Sequence, residues 1–372
     1  MRRRESHLSV AWLRRGCRPT CAAAADANDR VLPRANEDGG RGLQEGLMIA
    51  MRWLSLLGLL GLNASCPAVA QDYPSHVVTI VVPNAPGGPS DLFARWIGNL
   101  MSKELGQQII VENVGGASGT IGASRVAQAA PDGYTLLMHN ITFAAAPALY
   151  KSRTYDPLKD FDPVGLVAET PQAIVAKKAI TAKNLRELIA YIKTNQQTIN
   201  LADAGRGSAS YLCNLFFAQA IGASMTSVSY RGMNPALNDL LAGQVDLMCD
   251  QVANTAEQIK AGNINAYCVT AREKLEQLPS LPTCDEAGLP HLETSVWVAL
   301  LGPRGMPRNV VSKLALALRQ ALHNPALAQQ LAKLATTVAS DDLATPEGLS
   351  AFLKVEVEKW NQTLNAMHVR PE

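Results

Sequence analysis

Val77-Val78-Thr79-Ile80-Val81-Val82-Pro83-Asn84-Ala85-Pro86-Gly87-Gly88-Pro89-Ser90-Asp91 sets the fold. Its first half is a continuous β-branched run, which suits a strand buried on both faces. Prolines and paired glycines then end it, because proline has no N–H for a ladder and glycine accepts positive φ. Ser90 and Asp91 are good N-cap types, and the run from Leu92 through Ile97 spaces its apolar residues as a helix does. A strand, a glycine-rich turn and a helix start form an anion site from backbone N–H groups and the positive end of the helix dipole. A structural turn without a ligand is the alternative, and similar turns further along bear on the choice.

Those turns recur. Gln108 to Asn113 reads as a strand, and Gly115 to Thr120 opens a helix from Ile121 to Ala130. After the turn Pro131-Asp132-Gly133-Tyr134, the strand Thr135 to Met138 leads to His139, Asn140 and Thr142. Val164–Ala168 and, past Pro171, Ala173–Ala176 read as two more strands, where the chain crosses into a second region. There Thr198–Ala202 runs into Asp203-Ala204-Gly205-Arg206-Gly207-Ser208-Ala209-Ser210 and a helix through Ala220. Thr226–Tyr230 ends at Arg231-Gly232 before a helix through Leu241, and Val245–Met248 ends at Cys249-Asp250-Gln251. Leu278–Pro282 and Glu286–Gly288 read as a long surface connection. Thr294–Leu301 is a return strand, and helices follow at Pro307–His323, Pro325–Leu334 and Pro346 to about His368, the last capped by Thr345. Strands alternating with helices imply an α/β fold with parallel or mixed sheets. A chain that leaves one domain, builds another and returns implies a hinge around a cleft. The expected boundaries are 72–172 plus 294–372 for the first domain and 173–293 for the second.

The 372 residues are 47% hydrophobic and 18% charged, enough for a large core and two domains. Aromatic residues are only 5%, too few for a base-stacking surface. The formal charge of +2 comes from the front end. Residues 1–47 hold nine Arg against six acids, and 48–71 add Arg52 alone. The remainder carries 34 − 10 = 24 basic and 32 − 6 = 26 acidic groups, so no nucleic-acid partner is indicated.

From Met48 or Met51, Arg52 precedes an apolar core, Trp53 to Leu62, and then Ala68-Val69-Ala70. That is the order of a secretory signal over 48–70, with a core too short for a permanent span. Asn63 stands where a lipobox before Cys66 would carry Leu. Residues 1–47 read as a leader or as a start codon assigned too early, and the mature chain is expected to start near Gln71, outside the cytoplasm. Of the seven cysteines, Cys213, Cys249, Cys268 and Cys284 follow the signal. No CxxC survives among these, so no zinc site or redox dithiol is signalled. Cys213 and Cys249 both fall at element ends in an exported chain. A bridge between them and a pair of buried free thiols are both open.

No reaction motif is present. GxSxG, Walker A, HExxH and a metal-spaced His/Cys set are all missing, and no cofactor is indicated. His139 is the one histidine after the signal at an expected ligand edge, and Asp91 or Asp250 reads equally as a cap or loop anchor. Amides, hydroxyls and one or two arginines line the turns, a lining that suits a small carboxylate. An exported hydrolase using Ser208 or Ser210 with His139 is the rival, without an acidic group spaced to orient the histidine. A sensory or orphan binding protein on the same fold is a third reading.

Taken together, the segments resemble the Bug-type receptors of tripartite tricarboxylate transporters. The match runs through Val82-Pro83, Pro86-Gly87-Gly88 and Asp91, then Val111-Glu112-Asn113, Gly116, Gly119 and Ile121-Gly122. It continues through Ala130 to Leu136, Pro147 to Tyr150, Tyr155-Asp156-Pro157 and Asp160-Phe161. Pro235-Ala236-Leu237, Asp239-Leu240-Leu241, Gly243 to Asp246 and Asp285 to Leu289 complete it. The resemblance implies a two-domain periplasmic binding protein of type II, a Venus-flytrap clamshell. It further implies no enzymatic activity and delivery of a small carboxylate to membrane transporter subunits or a sensor. The implied ligand residues are Asn84, Pro86, Gly87, Gly88, Pro89, Ser90 and Asp91; His139, Asn140 and Thr142; Ala204, Ser208 and Ser210; and Tyr230, Arg231 and Asp250. Asn84, His139-Asn140 and Gln251 to Asn254 depart from the usual family residues, which leaves the ligand's identity open. Arg206 is a further departure, able to pair with an anion or to face solvent.

Overall fold

The structure is a computed structural model that describes residues 72–151 and 154–371. The leader, 1–47, and the signal, 48–70, lie outside the described residues. All described residues fall within one contact unit, Ala70–Glu372.

In chain order the elements are β1 (Val78–Val82), α1 (Pro89–Leu105), β2 (Ile109–Asn113), α2 (Thr120–Ala127), β3 (Thr135–Asn140), α3 (Thr142–Leu149) and β4 (Phe161–Lys177). Next come α4 (Leu185–Asn195), β5 (Asn200–Asp203), α5 (Ala209–Ile221), β6 (Thr226–Ser229), α6 (Met233–Leu241), β7 (Leu247–Gln251), α7 (Val252–Lys260) and β8 (Ile264–Val269). The chain closes with β9 (Ser295–Pro303), α8 (Arg308–Leu322), α9 (Pro325–Lys333), β10 (Thr337–Val338) and α10 (Pro346–Ala366).

β1 is the buried strand its sequence implies: Val78, Ile80, Val81 and Val82 are fully enclosed, with β2 and β3 parallel on its two edges. The sheet runs β2-β1-β3-β9-β4-β7-β5-β6, and β10 and β8 also pair with β4, in its first and second halves respectively. β9, the expected return strand, lies antiparallel between β3 and β4. The sheet is therefore mixed. β4 joins what the sequence suggests as two strands. Its residues Phe161 to Pro171 pair with β9, and Gln172 to Lys177 pair with β7 and β8. Pro171, which donates no N–H, sits where the partners change, so the strand passes through it without interrupting a long ladder.

Capping follows the sequence in places. Thr345 Oγ1 accepts from Gly348 N–H at α10, and Asn184 with Glu187 forms a reciprocal box at α4. α1 departs from expectation. Its N-cap is Gly88, and Ser90 and Asp91 already lie in its first turn. Pro89 opens the helix, with its fixed φ suited to that position. α3 and α7 go beyond the sequence reading. α3 is buried at all but one of its described positions and carries Pro147, so it shows no helical stripe. The 278–289 connection is not a surface loop: Leu278, Leu281, Cys284 and Leu289 are buried.

Phe93, Ile97 and Met101 of α1 pack with Leu314 and Leu318 of α8 in one core cluster. Phe143, Leu149, Trp297, Leu353 and Trp360 build a second. α5 serves two clusters. Ala209 and Leu212 join Phe143 and Trp360, whereas Cys213, Phe217 and Ile221 face Leu188, Leu201 and Tyr267. Phe216 stacks on Trp360 with ring centroids 5.3 Å apart.

Candidate ligand site at the converging strand ends

The strand register places the site. Asn140, at the end of β3, pairs with Val298, which pairs with Ala168 of β4. Gln251, at the end of β7, pairs with Gln172. β3 runs parallel to β4 through β9, and β7 runs against it, so their carboxyl ends point toward each other. Only the stretch from Ala168 to Gln172 separates them, about 13 Å at roughly 3.3 Å per residue. β1 shares the direction of β3, and β5 and β6 share that of β7. The starts of α1, α3, α5, α6 and α7 follow these strand ends and therefore face a common space, where helix dipoles favour an anion.

The turn after β1 is held from within. Gly87 N–H donates to Asp91 Oδ2 at 2.9 Å, and the Asp91 carboxylate pairs with Arg95. Burial acts to raise the Asp91 pKa, but the bonds from Arg95, Gly87 and Asn113 outweigh it and hold it below the usual range. Gly87 has φ +79°, the left-handed conformation that favours glycine. Gly88 is different: its φ is −79°, and an added Cβ would meet only Ala85 O, at 3.7 Å. Asp91 and Leu92 N–H groups donate to Gly88 O, leaving the Gly88 and Ser90 donors for the turn's open side. Pro86 is exposed beside them and Pro89 is buried. Asn84 O accepts from Asn113 Nδ2, and Asn84 Oδ1 is buried without a partner among the described residues.

His139 is wholly buried, and burial depresses its pKa to about 3. Its Nδ1 accepts from Asn140 N–H at 2.9 Å, which places the proton of the neutral ring on Nε2. Nε2 has no partner among the described residues. Asn140 Oδ1 accepts from both the N–H and the hydroxyl of Thr142, bracing the start of α3.

On the other side of the space, Ser208 caps α5 by accepting from Tyr211 N–H, and Ser210 Oγ accepts from Ala204 N–H. The two serine hydroxyls lie 3.0 Å apart. Neither is hydrogen-bonded to His139, so the nucleophile–base pair of a hydrolase is not assembled. Asp250 is buried; Oδ1 accepts from Gln251 N–H and Oδ2 from Asn254 Nδ2. Burial pushes its pKa up to about 7 against the pull of those two bonds. Tyr230 turns its hydroxyl to Asp239 at 2.7 Å, and Arg231 is exposed. Arg206 donates from Nη2 to Arg370 O and lies over the Tyr211 ring.

The two rims approach closely. A Cβ at Gly232 would lie 3.6 Å from Ala85 Cβ, and one at Gly87 would lie 3.8 Å from Asn234 Nδ2. Ser118 and Tyr150 both donate to Arg206 O. Sequence reasoning gives no site role to Ser118, Tyr150 or Asn234, and marks Asn254 only as one of the departures from the usual family residues. Asn254 alone carries a signal, its spacing of four from Asp250. Cys213 is bonded to Cys249, joining α5 to β7 one residue before Asp250. Cys268 is bonded to Cys284, beside the bridge from Val269 to Thr283. Among the described residues no His/Cys/Asp/Glu group could hold a metal, and no helix is long and apolar enough to cross a membrane.

Comparison with known proteins agrees with this architecture. The profile of the tripartite tricarboxylate transporter family receptor matches residues 93–368. A protein encoded in the TAR-I ttuE-ttuC' intergenic region of Agrobacterium vitis is 46% identical over 293 residues, covering 78% of this chain and 85% of that protein. The periplasmic binding protein BugD superposes with a TM-score of 0.78 at 41% identity, over 81% of this chain and all of BugD. MatC from Rhodopseudomonas palustris, solved with bound malate, gives 0.75 at 39% identity over 78% of this chain and all of MatC. A second R. palustris protein, solved with adipate, gives 0.76 at 29% identity over 81% of this chain and all of that protein.

Proposed function

The chain belongs to the tripartite tricarboxylate transporter receptor family, Bug-type periplasmic solute receptors rather than enzymes, and on that premise we propose that it closes on a small carboxylate held between the two sets of strand ends. The observation that carries this reading is the convergence of β3 and β7 on the stretch Ala168 to Gln172, with helix starts around it. Ligand oxygens accept from the N–H groups of Gly88 and Ser90 on one side and from the start of α5 on the other. The lobes divide as 72–172 plus 294–372 and 173–293, with the partner change at Pro171–Gln172 as one crossing. Closure requires a ligand that touches both lobes, because only differential affinity shifts the equilibrium. The exported receptor then hands its cargo to the membrane subunits of a transporter.

Malate in MatC and adipate in the second R. palustris protein support a dicarboxylate as cargo. Asp250, an acceptor at the end of β7, favours a ligand carrying a hydroxyl or an amine. Calorimetric titration of malate, succinate, aspartate and adipate tests both parts. Asp250→Ala should weaken malate and aspartate more than succinate. An equal loss across all of them removes the role given to Asp250, and no heat from any of them counts against the carboxylate reading.

A further inference from the structure

Arg206 is the one cation in the glycine-rich turn before α5, which invites a role in neutralising an anionic ligand. Its contacts point elsewhere. Its main-chain carbonyl accepts from Tyr150 OH at 2.7 Å and also from Ser118 Oγ. Tyr150 follows α3 and Ser118 precedes α2, so both hydroxyls come from the half of the sheet built on β1 and β3. Arg206 lies between β5 and α5, in the other half. Its guanidinium donates to the carbonyl of Arg370, four residues past the end of α10. Three donor–acceptor contacts from separate segments thus meet on one residue across the cleft.

The neighbouring residue has no side chain to obstruct this approach. A Cβ at Gly207 would stand 3.0 Å from both Leu149 Cδ1 and the Tyr150 hydroxyl. α5 is tied to β7 of the second half by the Cys213–Cys249 bond and by Asn214, while Ala209 and Leu212 at its start also pack on Phe143 and Trp360 of the first. The Asn214 side chain donates to Ala202 O and accepts from Cys249 N–H. The turn bearing Arg206 is thus anchored covalently and by hydrogen bonds to the second half, while its carbonyl accepts from two hydroxyls of the first.

We propose that Ser118, Tyr150 and Arg206 form a latch that favours the closed receptor without touching the ligand. The inference rests on the two-lobe reading above. The latch lowers the cost of closing, so it raises affinity for every cargo by one common factor and does not choose among them. A single neutral hydrogen bond shifts such a balance a few-fold, and two shift it about tenfold.

Small-angle scattering of the ligand-free mature protein tests this. Wild type should populate the compact form. Tyr150→Phe should shift the open-to-closed ratio a few-fold, and Ser118→Ala/Tyr150→Phe about tenfold, toward a larger radius of gyration. Arg206→Ala keeps the accepting carbonyl and both hydroxyl bonds to it while removing the guanidinium, with its contacts to Arg370 O and the Tyr211 ring, so its shift should be the smaller one. Melting temperatures of the three variants check that each is folded. Titration with malate and adipate should show both affinities falling by the same factor. A wild type fully open without ligand overturns the proposal, as does a folded double variant whose scattering matches wild type. The scattering experiment uses no ligand, so its result is independent of whether the carboxylate reading stands.

Discussion

Replacing Asp250 by asparagine should change how stability depends on pH more than it changes stability itself. Burial holds the Asp250 carboxyl at about 7, against 3.8 for an ordinary aspartate. A folded pKa above the unfolded one means the native state binds the proton more tightly. Its contribution is full below pH 3.8 and is lost as pH rises through about 7. At about 1.4 kcal/mol per pH unit, the gap sets a ceiling of roughly 4 kcal/mol. Relaxation around the ionised group should reduce this to about 1–3 kcal/mol, since buried sites respond as if their dielectric were near 20. The introduced amide can still accept from Gln251 N–H, and Asn254 can turn its own amide to offer oxygen to the new NH2 group. Urea unfolding at pH 4, 6 and 8 provides the assay. Asp250→Asn should match or fall below wild type at pH 4 and exceed it by about 1–3 kcal/mol at pH 8. Parallel stability curves for the two proteins from pH 4 to 8 would refute the burial argument.

Three further outcomes are expected. Gly88→Val should cost about 1 kcal/mol as a poorer N-cap, yet weaken malate or adipate binding at least about tenfold by covering the open donors; unchanged affinity of whichever acid binds would remove Gly88 from the site. Peptide mapping without reductant should recover Cys213 linked to Cys249 and Cys268 to Cys284. Cys213→Ser should lower stability by about 2–4 kcal/mol, and full alkylation of all four would contradict this. Glu356 Oε2 accepts from the indoles of Trp297 and Trp360, so Glu356→Leu should cost about 2–4 kcal/mol in urea unfolding, with a loss below about 1 kcal/mol counting against that role.

The features legible in sequence are those written in local periodicity. β1 is a β-branched run enclosed on both edges, and α10 begins where Thr345-Pro346 says it should. α3 escapes because a helix buried almost all round has no polar face to set a period, and Pro147 argues against it. The break read at Pro171 fails for a different reason: a proline interrupts a strand only where its N–H is needed, and here the pairing partners change at that point. Ser90 and Asp91 have the right chemistry for capping, but Pro89 has already started the helix at Gly88. At the site, the turns at strand ends are readable because glycine, serine and aspartate mark them. The grip of Ser118 and Tyr150 on Arg206 O is not, because any residue supplies a carbonyl and only the fold decides which one meets a hydroxyl.

Amide chemical shifts recorded while a dicarboxylate is titrated test the central claim most directly. On binding malate or adipate, the Gly88, Ser90, Ala209 and Ser210 amides should move together and saturate at one affinity, since both lobes grip one anion. Binding heat accompanied by shifts elsewhere, with these four amides still, would contradict the account.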